Sequence, residues 1–252
     1  MSAQRAKTAA ALSFAFGRRL STDPGTAITV AFSCFILLNI TPVLTQSAHA
    51  ADAQEIAASG NGGSVPACSA CHGEHGEGRP DAAYPRLAGL NSEYLIQQLN
   101  AFAGGGRDSE AMQPIATALT PDERKAIAKF YAGLVTPKVE EPTKADSKTI
   151  AIGAHLADRG DWSNGLPGCS RCHGPAGQGV GNAFPGLAGQ SAEYITSQLK
   201  AWKEGKRTSD PLHLMTGIAS KLNDDQVAAV AAYYASLPVA AAPTTTSQEL
   251  KP

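Results

Sequence analysis

The sequence predicts an all-α fold in which one small helical domain is written twice. Three observations carry that expectation. Cys68-Ser69-Ala70-Cys71-His72 recurs as Cys169-Ser170-Arg171-Cys172-His173, 101 residues later. Tyr84-Pro85-Arg86-Leu87-Ala88-Gly89 recurs as Phe184-Pro185-Gly186-Leu187-Ala188-Gly189 at an offset of 100, and Met112 returns as Met215 at an offset of 103. Between these markers the apolar residues fall at helical spacing, and no stretch shows the alternation of a strand.

Each repeated C-x-x-C-H reads as a c-type haem attachment site. On a helical turn, cysteines at i and i+3 face the same way, so both thiols reach the two vinyl groups of one haem. The histidine that follows is placed to bind the iron from the proximal side. A redox disulfide or a zinc site also uses C-x-x-C. Paired motifs of a four-cysteine zinc site, however, stand about 15–20 residues apart, whereas here the separation is a domain length. Cys68, Cys71, Cys169 and Cys172 are therefore expected to hold two covalent haem c groups, with His72 and His173 as the first axial iron ligands.

Taken in order, residues 1–50 have the marks of an export signal. Arg5, Lys7, Arg18 and Arg19 form a basic start, an apolar stretch runs from about Ala27 to Leu44, and Ala48-His49-Ala50 supplies a cleavage signal. Thr29, Ser33, Asn39 and Pro42 break the apolar run short of the roughly 20 residues of a membrane span, which favours cleavage over an uncleaved anchor. Residues flanking Arg18-Arg19 fit a twin-arginine signal poorly. Cleavage removes Cys34 and leaves four of the five cysteines, all in the two motifs, so no thiol remains for a structural disulfide. Covalent haem would itself staple two domains too small for a thick core.

A short helix over residues 51–60 leads into the first motif. The next, from about Glu93 to Phe102, is expected to bury Leu95, Leu99 and Phe102 and to stop at Gly104-Gly105-Gly106. An extended loop then carries Met112. The closing helix starts with Thr120 as N-cap, Pro121 at its first position and Glu123 completing a capping box; it presents Ile127, Tyr131 and Leu134. A polar linker with Pro137 and Pro142 follows, semi-extended and stiff. The second copy repeats the plan: a helix around Ile150–Asp158, a second burying Ile195, Leu199 and Trp202, and a third capped by Asn223 with Gln226 at its third position. The final residues, rich in Ala, Pro and Thr, read as a disordered tail.

Methionine arithmetic supplies the remaining ligands. Beyond the initiator only Met112 and Met215 exist, 40 and 42 residues after their histidines. One methionine per haem in a loop before the last helix is what His/Met ligation needs, although a lone methionine elsewhere would read as core filler. A thioether favours ferrous iron and raises the potential, and six-coordinate iron leaves no position for substrate. Outer-sphere electron transfer follows, with no catalytic constellation. His75 lies too close to His72 to swing round the haem, His155 faces solvent from the helix before the second motif, and His213, two residues before Met215, is the more serious rival.

Without residues 1–50 the chain keeps 17 Lys and Arg against 21 Asp and Glu. Residues 51–136 carry 6 basic and 10 acidic groups, and residues 149–238 carry 7 of each. No basic stripe exists, which excludes nucleic acid. The asymmetry allows the two halves different docking partners.

With these residues in place, the chain resembles the dihaem cytochrome c4 family, over essentially all of residues 51–238. The resemblance rests on the doubled C-x-x-C-H-G, the paired Pro-x-Leu-Ala-Gly segments, the two methionine loops and the ending Ala231-Ala232-Tyr233-Tyr234-Ala235-Ser236-Leu237. It implies two tandem class I cytochrome c domains (51–136 and 149–238), a linker over 137–148 and a tail over 239–252. It implies an electron carrier in the periplasm, not an enzyme, working between a quinol-oxidising complex or other donor cytochrome and a terminal oxidase. Peripheral contact with the membrane surface stays open. It also implies that the carbonyls of Pro85 and Pro185 accept hydrogen bonds from the two proximal imidazoles. The second methionine loop, Thr208 to Met215, is longer than the first, which singles out the geometry at Met215. Two competing readings are a dihaem subunit of a flavocytochrome and a dihaem oxidoreductase enzyme with a labile methionine.

Overall fold

The computed structural model describes residues 52–135, 145–210 and 212–239, all within one compact unit. The expected export signal, most of the proline-containing linker and the tail lie outside them. The first lobe holds α1 (52–59), α2 (Ser69–His72), α3 (Ser92–Ala103), α4 (Met112–Ala118) and α5 (Pro121–Gly133). The second holds α6 (Ser147–Arg159), α7 (Ser170–His173), α8 (Ala192–Lys203), α9 (Leu214–Lys221) and α10 (Asp224–Ser236). The fold is all-α in the expected order, with one addition. Gly160–Asp161 and Leu166–Pro167 form a two-residue antiparallel ladder in the second lobe, β1 and β2. So short a ladder has no period to read in a sequence; Gly160, with φ +72°, lets the chain turn into it.

Local chemistry sets the helix starts. Thr120 and Glu123 exchange hydrogen bonds in the predicted capping box of α5, and Asn223 and Gln226 do the same for α10. Asn91 caps α3 by accepting from the amides of Glu93 and Tyr94 at 2.9 and 3.2 Å. Helix α6 begins three residues before its expected start because Asp146 caps it, accepting from the Thr149 amide at 2.9 Å.

Each lobe has its own apolar cluster. In the first, Ile56 and Ala57 of α1 meet Leu95 of α3 and Ile127, Ala128 and Tyr131 of α5. In the second, Leu156 and Ala157 of α6 meet Ile195 and Leu199 of α8 and Val227, Val230 and Tyr234 of α10. Leu99 and Trp202, expected in the core, are only partly buried and pack against its edge. Helices α6 and α10 cross closely at Gly153. A β-carbon there would stand 2.0 Å from the carbonyl oxygen of Ala229, inside any van der Waals distance. The matching residue in α1 is Ala53, fully buried.

The methionines are not in extended loops. Met112 opens α4, and Met215 is the second residue of α9. Each loop turns into helix one or two residues early because a side chain holds the entry. Ser109 Oγ accepts from the Met112 amide at 3.1 Å, and Asp210 Oδ2 accepts from the Thr216 amide at 3.1 Å.

Candidate haem-binding crevices

In the first lobe, Cys68, Cys71, His72 and Met112 line a single apolar cavity of about 300 Å³. The four residues selected from sequence are thus brought together around one space. The backbone explains how. Turn α2 orients both cysteines and ends in His72. The chain then returns through Gly76, whose carbonyl accepts from the amides of Leu87 and Ala88 at 2.8 and 3.0 Å. That pairing docks Pro85 against the histidine: His72 Nδ1 lies 3.0 Å from the Pro85 carbonyl oxygen. Gly76 itself has φ +70°, and a β-carbon there would meet the Tyr131 ring at 2.7 Å, so no larger residue fits this return.

The second lobe repeats the arrangement. The Gly177 carbonyl accepts from Leu187 and Ala188 at 2.8 and 3.1 Å, and His173 Nδ1 lies 2.8 Å from the Pro185 carbonyl oxygen. Cys169 and Met215 both pack against the second apolar cluster. His213 is exposed, sits in the left-handed region with φ 52° and stands at the N-cap position of α9 with no side-chain capping hydrogen bond. His75 and His155 are exposed as well.

Electrostatics suit iron ligation. A carbonyl oxygen only accepts, so Nδ1 of each histidine carries the proton and donates, leaving the Nε2 lone pair bare. Burial lowers the affinity of His72 and His173 for a second proton, partly opposed by the proline carbonyls. Burial also pushes the Cys68 and Cys169 thiols up, so both stay protonated until they are used.

The lobes meet in a buried polar layer that the sequence reading did not identify. Arg107 and Arg207 pair backbone to backbone across a pseudo-twofold axis. Arg107 donates to Gln98 at 3.0 Å, Tyr194 at 2.8 Å and Gln198 at 2.5 Å. Arg207 donates to Gln198 at 2.9 Å, Tyr94 at 3.3 Å and Gln98 at 2.8 Å. Each guanidinium also stacks on an aromatic of its own lobe, Phe102 at 4.5 Å or Trp202 at 4.0 Å. Among the described residues neither cation has a carboxylate partner. A third buried cation, Arg86, donates to the carbonyls of Ala88 and Ala188, and its amide and carbonyl pair with the Gln190 side chain at 3.0 and 2.8 Å. The repeated Gly-x-Arg after the second helix of each lobe, with the repeated tyrosines, was the available signal for the symmetric part of this layer.

Among the described residues, the buried donors without a partner include Arg86 Nε, Arg207 Nε and Trp202 Nε1. Buried cations without anions and donors without acceptors are what carboxylate-bearing groups at the crevice would satisfy, and haem brings two propionates. Arg86, Arg107 and the second-lobe residues Tyr194 and Gln198 line the first cavity directly. The residues present therefore fit haem on both its apolar and its acidic side.

Comparison with known proteins agrees. The family model described as Cytochrome c matches residues 50–134 and again 150–238. A thiosulfate dehydrogenase electron acceptor from Stutzerimonas stutzeri is 43% identical over 77% of this chain and 90% of its own length. A cytochrome c4 from Pseudomonas aeruginosa is 35% identical over 80% of this chain and 97% of its own. The solved structure of a thiosulfate dehydrogenase from Marichromatium purpuratum superposes with a TM-score of 0.71 at 38% identity, over 77% of this chain and 41% of that longer one. Doubled cytochrome c domains, a polar seam between them and relatives matched along nearly their whole length lead to one assignment. The chain belongs to the dihaem cytochrome c4 family, electron-transfer proteins of the cytochrome c class that carry covalently bound haem c.

Proposed function

We propose that the protein is a periplasmic shuttle that accepts electrons from a thiosulfate-oxidising dehydrogenase and delivers them to a terminal oxidase. The observation that carries this reading is the 43% identity, over 90% of its length, to a relative described as a thiosulfate dehydrogenase electron acceptor, against 35% to a cytochrome c4. The likeness to the longer thiosulfate dehydrogenase structure supports close association of such a module with a catalytic partner. Joining two thiosulfate ions through a sulfur–sulfur bond releases two electrons, one for each haem.

In this reading Cys68 and Cys71 hold one haem by thioethers, and Cys169 and Cys172 hold the other. His72 with Met112, and His173 with Met215, would hold the two irons. The bound haem supplies a one-electron ferric/ferrous couple. The protein supplies the rest: Pro85 and Pro185 fix the imidazole tautomer, the apolar clusters exclude water, and the buried arginines offset propionate charge. A carrier between a quinol-oxidising complex and the oxidase is the competing reading, favoured by the cytochrome c4 relative.

Rapid mixing of the oxidised holoprotein with a thiosulfate dehydrogenase and thiosulfate tests it. Reduction of both haems, faster than by a quinol-oxidising complex with quinol, is expected. Fast reduction by the quinol complex and none by the dehydrogenase would overturn the proposal in favour of the competing one.

A further inference from the structure

Among the described residues, large exposed apolar side chains concentrate in the second lobe: Ile152, Trp162, Val180, Leu212 and Leu214, against Val135 at the end of the first. Three of them belong to one ridge. From Arg107 to Met112 the first copy takes five steps, and from Arg207 to Met215 the second takes eight. The longer loop presents Leu212 and Leu214 to water, 75% and 48% exposed, on either side of His213 at φ 52°. A non-glycine residue adopts that left-handed backbone only at a cost. The loop is nonetheless tied at both ends. The Thr208 amide donates to the Gly106 carbonyl at 2.8 Å, and Asp210 Oδ2 accepts from the Thr216 amide at 3.1 Å. Leu214, Gly217 and Lys221 then follow one face of α9 at helical spacing. Gly217 leaves that face open, since a β-carbon there would meet nothing within 4 Å. At the far end Lys221 Nζ donates to the Asn164 carbonyl, and Asn164 Nδ2 donates to the Lys221 carbonyl, both at 2.9 Å. These bonds fix the turn Trp162–Asn164, which holds Trp162 at 70% exposure.

The matching surface of the first lobe is built differently. Gly62 and Gly63 stand in place of Trp162, and Glu110, Gln113 and Thr117 are exposed along α4 and its entry. The second lobe's ridge is apolar, its nearby carboxylate Asp210 and ammonium Lys221 both engaged by the bonds just described.

We propose that the ridge of Leu212, Leu214 and Trp162 is the docking surface for the thiosulfate-oxidising donor, which meets it with an apolar patch of its own. The inference rests on the reading that such a dehydrogenase is the donor. Apolar contact suits partners that stay together, and charged contact suits brief encounters steered from a distance. The superposed thiosulfate dehydrogenase holds a module like this one within a longer chain, 41% of which this chain covers, so module and remainder there stay together. The first lobe's surplus of carboxylates suits the brief kind of encounter, which leaves the lasting partner to the second lobe. Docked there, the donor lies against the methionine side of the second crevice.

The test measures binding of the oxidised holoprotein to a thiosulfate dehydrogenase, and its reduction once thiosulfate is added, at low and at high salt. The variants are Leu212→Ser combined with Leu214→Ser, and separately Trp162→Ser, with Glu110→Gln as the first-lobe control. Each ridge variant should bind roughly fivefold more weakly or worse, and be reduced more slowly in proportion. Trp162→Phe, which keeps an aromatic anchor, should bind within about twofold of wild type, and Glu110→Gln should match it. Wild-type binding should survive high salt, because salt screens charges and not apolar contact. If the leucine pair disturbs Met215, the sulfur-to-iron charge-transfer band reports it and Trp162→Ser decides alone. Ridge variants that bind like wild type, a loss confined to Glu110→Gln, or wild-type binding abolished by salt would overturn the inference. So would a wild-type dimer that the leucine variant dissolves, since the ridge would then seat a second copy of this chain. A wild type that the dehydrogenase cannot reduce overturns the donor reading and the inference with it, whereas fast reduction unchanged in both ridge variants overturns the inference alone.

Discussion

The two lobes agree in how each histidine is held and differ in one part of the seam where they meet. The histidine–proline contacts, 3.0 Å in one lobe and 2.8 Å in the other, are the same device built from the same backbone pairing. The interface instead sets Arg86 and Gln190 against Gly186 and Leu90, and among the described residues the β1–β2 ladder belongs to the second lobe. Duplication preserved what iron ligation demands of a chain and released the rest. In the proposed reading the two crevices would share one ligand chemistry while their surroundings differ outside the ligand residues.

The comparison is broken most sharply at the methionines. Met112→Ala and Met215→Ala are each expected to convert one haem to a high-spin or misligated state while both haems stay attached. The optical spectrum and the sulfur-to-iron charge-transfer band should each fall to one haem's share. If Met215→Ala alone kept the full low-spin spectrum, the longer second loop would have placed another group, His213 first, on the iron.

The symmetric part of the interface predicts equal losses. Arg107→Met and Arg207→Met each remove three hydrogen bonds; both glutamines keep the other arginine as donor, while one tyrosine hydroxyl, Tyr194 or Tyr94, loses its arginine, which costs about 1–3 kcal/mol. Thermal unfolding should show a similar fall for both variants, of about 2 kcal/mol or more. A fall in only one would show that the pseudo-twofold is geometric and not energetic.

Gly153→Ala sharpens the contrast between the pre-haem helices. The added carbon meets the Ala229 carbonyl at 2.0 Å, so α6 must lift from α10, at an expected cost of about 1–3 kcal/mol. The second lobe would then resemble the first, where Ala53 already occupies the matching place. Unchanged unfolding would mean that the close crossing contributes little.

The smallest effect is acid sensitivity. The capping boxes differ in charge: Thr120 pairs with the ionisable Glu123 in α5, Asn223 with the neutral Gln226 in α10. The Thr120 amide holds the Glu123 carboxyl below its ordinary value. Its contribution is complete above the unfolded-state value near 4.3 and is lost as pH falls through the lower folded-state value. Below about pH 4 the start of α5 should loosen, by well under about 1 kcal/mol, and hydrogen exchange there should quicken while α10 does not respond. Equal loosening of both helices would contradict this.

Most of the site was legible because haem attachment is a local event. A five-residue motif, a proline segment and one methionine per copy specify it, and their repetition removes chance. The helix caps were legible for the same reason, since Thr120 with Glu123 and Asn223 with Gln226 lie within one turn. The polar seam was not, because Arg107 finds Tyr194 and Gln198 about ninety residues away, and no local pattern announces a partner at that distance. The methionine loops were read as extended because nothing in their spacing shows that Ser109 and Asp210 cap the helices that Met112 and Met215 join. The two-residue ladder had no period to reveal it.

The central claim is two haems, each ligated by histidine and methionine, acting as one-electron sites in a carrier. A reductive titration of the purified holoprotein, followed through the sulfur-to-iron charge-transfer band, tests it most directly. The account predicts two one-electron steps at positive potential, with the band at full two-haem intensity in the oxidised protein. A single step, a low-potential step or a band at half intensity would contradict it.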